Sequence, residues 1–333
     1  MKNLRKTAAL LATLISATLL IGLTGCDGLE FLIEYKDAVY DISGKVINVR
    51  EVEDATGYSI PAGGKVEVTK FGESTVLGSS TISSTGTYSV KDLPSGEYVV
   101  KVKNAVLNSV TWVGVPVSVE VAGGDVADKG VFAYTGTDLE DKALIILTWD
   151  FEENNTPDLD SHSYLGGGVN GPSTIHAYYP AIPINYRTQS SGRIKATLER
   201  DVTGTPMKNG TWYPVETTIV EQSGNSGTDD ASYLRFYAHA FDGSISGVDN
   251  PEVIQPANAV VYVMYNGAHF GTFWPSLNTN STWELFLKIR ADSNGELTIA
   301  PSSWDGGDGV TTSVDGRSLS AMEGTGIPVE LGQ

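Results

Sequence analysis

The 333-residue chain carries 40 Asp and Glu against 22 Lys and Arg, a formal charge of −18 at pH 7. That balance excludes nucleic acid and anionic lipid headgroups as partners, because phosphates are bound by clustered Lys and Arg. A single cysteine excludes an internal disulfide and a cysteine-built zinc site. Short alternating runs bounded by Gly, Asn, Asp and Pro, with 37 glycines in all, indicate an all-β chain.

Lys2, Arg5 and Lys6 precede an apolar run from Ala8 to Leu23, broken only by Thr13, Ser16, Thr18 and Gly22, with no acidic residue before Asp27. This is the layout of a secretory signal. An uncleaved membrane anchor is the alternative, but a span needs about 20 predominantly apolar residues and this run is shorter. The run ends in Leu23-Thr24-Gly25-Cys26, which resembles the lipobox of bacterial lipoproteins. The resemblance implies that residues 1–25 are a removable signal peptide and that Cys26 is lipidated. Residues 26–37 would then form a tether, holding the exported protein on a cell-envelope membrane through its lipid. Asp27 is similar to an inner-membrane retention signal of enterobacteria, and the choice of membrane and face stays open. Loss of residues 1–25 removes three of the 22 basic residues and none of the 40 acidic ones, leaving −21.

Residues 38–135 are expected to form a first β-sandwich, with strands at 42–49, 65–70, 86–90, 97–102, 115–121 and 130–134. Turns fall at Gly63-Gly64, Ser84-Thr85-Gly86, Pro94-Ser95-Gly96 and Gly123-Gly124-Asp125. Ile42-Ser43-Gly44-Lys45-Val46, then Ile60 to Val68, then Thr85-Gly86-Thr87-Tyr88 running on to Leu93-Pro94-Ser95-Gly96-Glu97-Tyr98, resemble the bacterial carboxypeptidase regulatory-like domain. That resemblance implies a transthyretin-like sandwich with Tyr88 and Tyr98 in a thin core, and it implies no catalytic activity.

A polar joint, Asp138 to Lys142, leads into the apolar run Ala143 to Trp149, which reads as a buried strand opening a second sandwich over residues 140–300. Further strands are expected at 174–179, 193–199, 214–219, 233–241, 259–265, 268–273, 282–289 and 296–300. Asn266-Gly267 marks a two-residue hairpin, since both positions tolerate positive φ. If residues 158–162 are extended, Asp158, Asp160 and His162 share one face while Leu159 and Ser161 take the other. The fold would add His176, Glu199, Asp201, Glu216 or His239 to make a metal site. Mixed nitrogen and oxygen ligands favour zinc or manganese, whereas calcium would use the carboxylates alone. The competing reading has the aspartates bonding loop amides and the histidines half-buried and satisfied.

Leu147-Thr148-Trp149 followed by Pro157-Asp158-Leu159-Asp160-Ser161-His162 resembles β-sandwich domains of bacterial surface proteins, and is distantly similar to pre-peptidase C-terminal domains. Ile175 to Tyr179, Leu198 to Asp201, Pro214-Val215-Glu216 and Tyr233 to His239 extend the match. Arg200 departs from it, standing where that group has a second aspartate.

Gly166-Gly167-Gly168 lacks the following Lys of a phosphate loop, and no Gly-x-Ser-x-Gly elbow occurs. Trp212, Trp274 and Trp283 with Tyr178, Tyr179 and Tyr213 are candidates for stacking on sugars, or for core positions. The tail 301–333 is polar and expected to be loosely ordered. Together these features favour a cell-envelope lipoprotein that binds polysaccharide or protein through its second sandwich, rather than an enzyme. The alternatives are a metal-dependent hydrolase built on Asp158, Asp160, His162 and His176 with Glu216 as base, and a calcium-stabilised adhesin.

Overall fold

Strict alternation builds the first sandwich. On β2 (Lys65–Lys70) Val66 and Val68 are buried between exposed Lys65 and Lys70, and on β8 (Val117–Val121) the three valines are buried and Ser118 and Glu120 exposed. The computed structural model describes residues 38–136, 138–150, 157–166, 175–178, 188–191, 193–202, 212–223, 232–242, 257–275, 283–291, 297–302, 313–314 and 317–318. All the regular structure among them is β, in two tandem sandwiches within the compact unit Ala38–Gln333.

One sheet of the first sandwich orders β4 (Thr87–Pro94), β1 (Val39–Asn48), β9 (Val126–Thr135), β7 (Val110–Gly114) and β6 (Ala105–Leu107), with β1 and β9 parallel. The other orders β3 (Val76–Thr81), β2, β5 (Gly96–Val102) and β8. Tyr88 and Tyr98 lie in the core as expected, their hydroxyls donating to the carbonyls of Lys129 and Pro94. Strands β3, β6 and β7 escape the sequence reading. β3 is mostly Gly, Ser and Thr with no buried face, and β6 and β7 are joined by Asn108-Ser109, whose positive φ values of 51° and 66° make a hairpin turn without glycine.

In the second sandwich one sheet orders β13 (Thr188–Ser191), β14 (Ile194–Arg200), β15 (Val215–Gln222), β10 (Ala143–Thr148), β17 (Val260–Tyr265) and β18 (Ala268–Phe273). The facing sheet orders β12 (Ile175–Ala177), β11 (Asp158–Leu165), β16 (Ser232–Asp242), β19 (Trp283–Ala291) and β20 (Leu297–Pro301). The 17–18 hairpin turns at Asn266-Gly267 with φ of 50° and 75°, as expected. Of the tail, a short pair, β21 (Ser313–Val314) with β22 (Arg317–Ser318), is described.

Every residue of β10 is buried, because both of its faces are covered. Ala143, Ile145 and Leu147 enter the core of the second sandwich, whereas Leu144 and Ile146 join Val215, Ile219, Tyr262 and Met264 in the core of the first. A strand covered on two sides has no polar face to show, hence its unbroken apolar run. Phe132 of β9 packs on Tyr213 and Tyr262 at ring separations of 6.1 and 5.9 Å. Gly130 is where Tyr213 approaches most closely: a Cβ there would stand 2.3 Å from the ring, and its amide donates to the Tyr213 hydroxyl. Leu139, inside the expected polar joint, is itself buried in the shared core.

Two arginines cross this junction in opposite directions. Arg50, from the first sandwich, binds Glu199 at 2.7 Å and Asp138. Arg200, from the second, has a side chain with no solvent exposure and grips Glu53 with one nitrogen, 3.0 and 2.8 Å from the two carboxylate oxygens. It also donates to the carbonyls of Asn48, Glu51, Tyr213 and Val215.

Candidate functional site

A one-residue irregularity in β14 decides which acidic groups meet. Ile194 and Ala196 point into the second core, and unbroken alternation would send Arg200 inward and Asp201 outward. The pairing of β14 with β15 slips between Leu198 and Arg200, so Leu198 stands opposite Thr218 and Arg200 opposite Thr217. Thr217 faces the first sandwich, its hydroxyl bonded to the Val49 carbonyl. Glu199 and Arg200 therefore both turn toward the junction, and buried Asp201 falls on the inner side, close to Glu216. The departure at Arg200 thus leaves the acidic cluster intact, and Glu199 is drawn out of it to Arg50.

Glu216 is 1% exposed on the inner face of β15. The described pairing of β11 with β12 covers Ser163 to Leu165, and at Ser161 the Glu216 Oε2 takes the place of a neighbouring strand, accepting the Ser161 amide at 2.6 Å. Asp160, Asp201 and Glu216 then converge, with one ligand atom of each within 4.8 Å of the others. Asp160 also converges within 4.8 Å on His162 and His239, which stands across the ladder from it on β16. The Asp160 carboxylate lies 3.8 Å from His239 Nδ1.

Leu159 enters the core, as the expected alternation of β11 requires, while Asp158 opens the strand opposite Asp242 and belongs to neither converging group. His176 stands opposite Tyr164 in register, and its side chain lies outside the described set, as do Tyr179, Gly167 and Gly168.

Burial and the nearby charges of Asp158 and Asp201 push the Asp160 carboxyl up to about 7. Burial first, then Asp201 and Asp160, holds the Glu216 carboxyl well above the usual carboxylate range, against the opposing pull of the Ser161 amide. Burial lowers the His239 imidazole, so near neutral pH His239 and Asp160 face each other without an ion pair.

The same strands carry a ladder of rings on the face away from the core. Leu234, Phe236 and Ala238 of β16 are buried, which turns Tyr237 and His239 the other way. His239 stacks on Trp283 at 4.1 Å, and His162 lies between Trp283 at 4.7 Å and Tyr178 at 5.5 Å, the latter pair stacked. Tyr237 meets Tyr164 edge-on at 5.4 Å and Trp283 at 6.5 Å. Trp283 is 39% exposed. Trp212 and Trp274 pack instead on the second core and Tyr213 on the first, leaving Trp283 and Tyr178 of the described sugar-stacking candidates on this face. Tyr237 follows from the period of the strand expected at 233–241, whereas Tyr164 lies in β11 beyond the stretch 158–162 that the sequence treats as extended.

A separate cavity of about 190 Å³ opens at the junction of the sandwiches, with Lys129, Thr148, Asp150, Tyr213, Asn258 and Tyr262 in its wall. Burial there lowers the Lys129 amine, with Asp150 opposing the shift.

No protein-family model matches the chain, and no curated protein matches it. Among solved structures it is similar to a protein of unknown function, SAV2460, at 15% identity over 48% of this chain and 86% of that one, with a TM-score of 0.32. It is similar to a DUF3823 family protein from Parabacteroides merdae ATCC 43184 at 12% identity, covering 62% and 92% of the two chains, TM-score 0.21. It is also similar to the full-length major pilin SpaD from Corynebacterium diphtheriae at 13% identity, covering 68% and 67%, TM-score 0.22. Likenesses of this size carry no functional argument.

Proposed function

We propose that the chain is an exported cell-envelope lipoprotein that binds polysaccharide through the outer face of β11, β16 and β19. The lipobox-like Leu23-Thr24-Gly25-Cys26 supports the setting. The observation that carries the binding role is the ladder of Tyr178, His162, Trp283 and His239, in which Trp283, between the two histidines, is 39% exposed. A pyranose ring has an apolar face of C–H groups that packs on an aromatic plane, and an exposed aromatic patch signals a partner where a buried one does not. Asp160, His239 and the Tyr164 and Tyr237 hydroxyls border the rings with donors and acceptors that would orient sugar hydroxyls. The formal charge, −21 once residues 1–25 are removed, selects neutral over anionic polymers.

Affinity electrophoresis through gels cast with neutral polysaccharides tests this. Wild type is expected to be retarded by at least one of a panel of glucans and mannans, and Trp283→Ala to run as in a blank gel while melting within about 0.5 kcal/mol of wild type, as suits a change at the surface. Equal retardation of the variant, or none of wild type across the panel, overturns the proposal.

A further inference from the structure

The carboxylates behind the ring ladder pose a separate problem of charge. Glu216 is 1% exposed, and its Oε2 accepts the Ser161 amide while its Oε1 is buried with no hydrogen-bond partner. Asp160 and Asp201 bring two more carboxylates to within 4.8 Å of it. The cation nearest in sequence, Arg200, is turned away by the β14 slip and held by Glu53 and four carbonyls. Three carboxylates from two facing sheets thus converge, and with all three ionised none can donate to the buried Glu216 Oε1. Like charges gathered in a poorly solvated place are stabilised by a shared cation or else forced to protonate.

We propose that Asp160, Asp201 and Glu216 bind a calcium ion between the two sheets of the second sandwich. An all-carboxylate set suits a hard cation that takes oxygen ligands. Ligand atoms that all lie within 4.8 Å of one another fit inside a calcium shell, about 4.6–5.2 Å across for bonds of about 2.3–2.6 Å, and calcium tolerates an irregular oxygen set where magnesium demands a near-ideal octahedron. Asp160 on β11 and Glu216 on β15 are held by strands, and Asp201 follows directly on the end of β14, so the carboxylates are brought together before an ion arrives. His162 and His239 stand on the far side of Asp160 as part of the ring ladder, so the ion would also fix the carboxylate that borders His239.

The test is calorimetric titration of the purified full chain, dialysed against chelator, with calcium, manganese and zinc chlorides in turn, alongside melting with and without calcium. One calcium per chain is expected, with a melting rise of about 5–10 °C at a hundredfold excess over Kd. Glu216→Gln and Asp201→Asn should each weaken calcium at least about tenfold, roughly the value of one charged ligand. In chelator, Glu216→Gln should melt no lower than wild type, because the amide removes one of the converging charges; a merely structural carboxylate would show the reverse order. His239→Gln should still bind one calcium per chain and change the affinity far less than either carboxylate variant, since the imidazole is not a ligand. Asp160→Asn, at a position 26% exposed, repeats the test if the Glu216 variant does not fold. Absence of calcium binding and of any melting shift up to about 10 mM, well above the range of extracellular calcium modules, overturns the proposal. So does stoichiometric zinc or manganese binding that is lost in His239→Gln while calcium does not bind.

Discussion

Replacing Arg200 by alanine should be the most damaging single change at the junction of the two sandwiches. The side chain is wholly buried, and its removal takes away the counter-charge of Glu53 and a donor from each of four carbonyls, at Asn48, Glu51, Tyr213 and Val215. Breaking a buried pair by deleting one partner costs about 3–5 kcal/mol, chiefly through the charge left behind. Glu53 retains 18% exposure and still accepts the Tyr213 amide at 2.8 Å, which softens the penalty. A loss of about 3–4 kcal/mol is therefore expected, measured as the change in urea unfolding free energy. Two controls sharpen the reasoning. Arg50→Ala should lose less, about 1–2 kcal/mol, because Arg50 keeps 13% exposure and its partners Glu199 and Asp138 keep 22% and 54%, so water can solvate what the deletion leaves. The double change Arg200→Met with Glu53→Gln should recover at least about 1 kcal/mol relative to Arg200→Ala, since no buried charge is then unpaired. A loss below about 1.5 kcal/mol for Arg200→Ala, or equal losses at Arg50 and Arg200, would refute the argument.

Cys26→Ser should abolish incorporation of a labelled fatty acid and move the protein from the membrane pellet to the soluble fraction, since an acyl chain contributes about 0.8 kcal/mol per buried methylene and nothing else in the proposal anchors it; labelling of the serine variant would remove the proposed anchor site. Burial lowers the His269 imidazole to about 4 from its ordinary 6.5, so the fold favours the neutral ring. Stability from this group is present above about pH 6.5 and is lost as the pH falls toward about 4, to a ceiling of about 3 kcal/mol that residual solvent contact reduces to about 1–2. Unfolding free energies of wild type minus His269→Gln should fall by that amount over this window, and a flat difference would contradict the sign.

Much of this architecture is legible in the residues. The unbroken apolar run of β10, the Asn266-Gly267 turn and the tyrosines of the first core each follow from local rules, and the structure agrees. What local rules miss is what depends on a second element. Glu199 and Asp201 look equivalent in sequence, yet the slip at β14 sends one to Arg50 and the other toward Glu216. In sequence β11 stays open between an extended stretch and a loop, because Asp158, Asp160 and His162 suit either, and only its pairing with β12 and β16 makes it a strand. Leu139 was hidden among Asp138, Glu140 and Asp141, whose charges give the impression of an open linker. Trp212, Trp274 and Trp283 are alike to any composition argument, and only the packing separates the two that support the core from the one that faces water.

The two-sided burial of β10 also makes the sandwiches dependent on each other. Leu144, Ile146, Ile219, Tyr262 and Met264 belong to the first core although their strands belong to the second sandwich. The sandwiches are therefore joined by a continuous apolar seam as well as by the paired arginines, not by a bare linker. Excised alone, the second half would present those side chains as a sticky flank, so a truncated fragment should clump where the intact body stays dispersed.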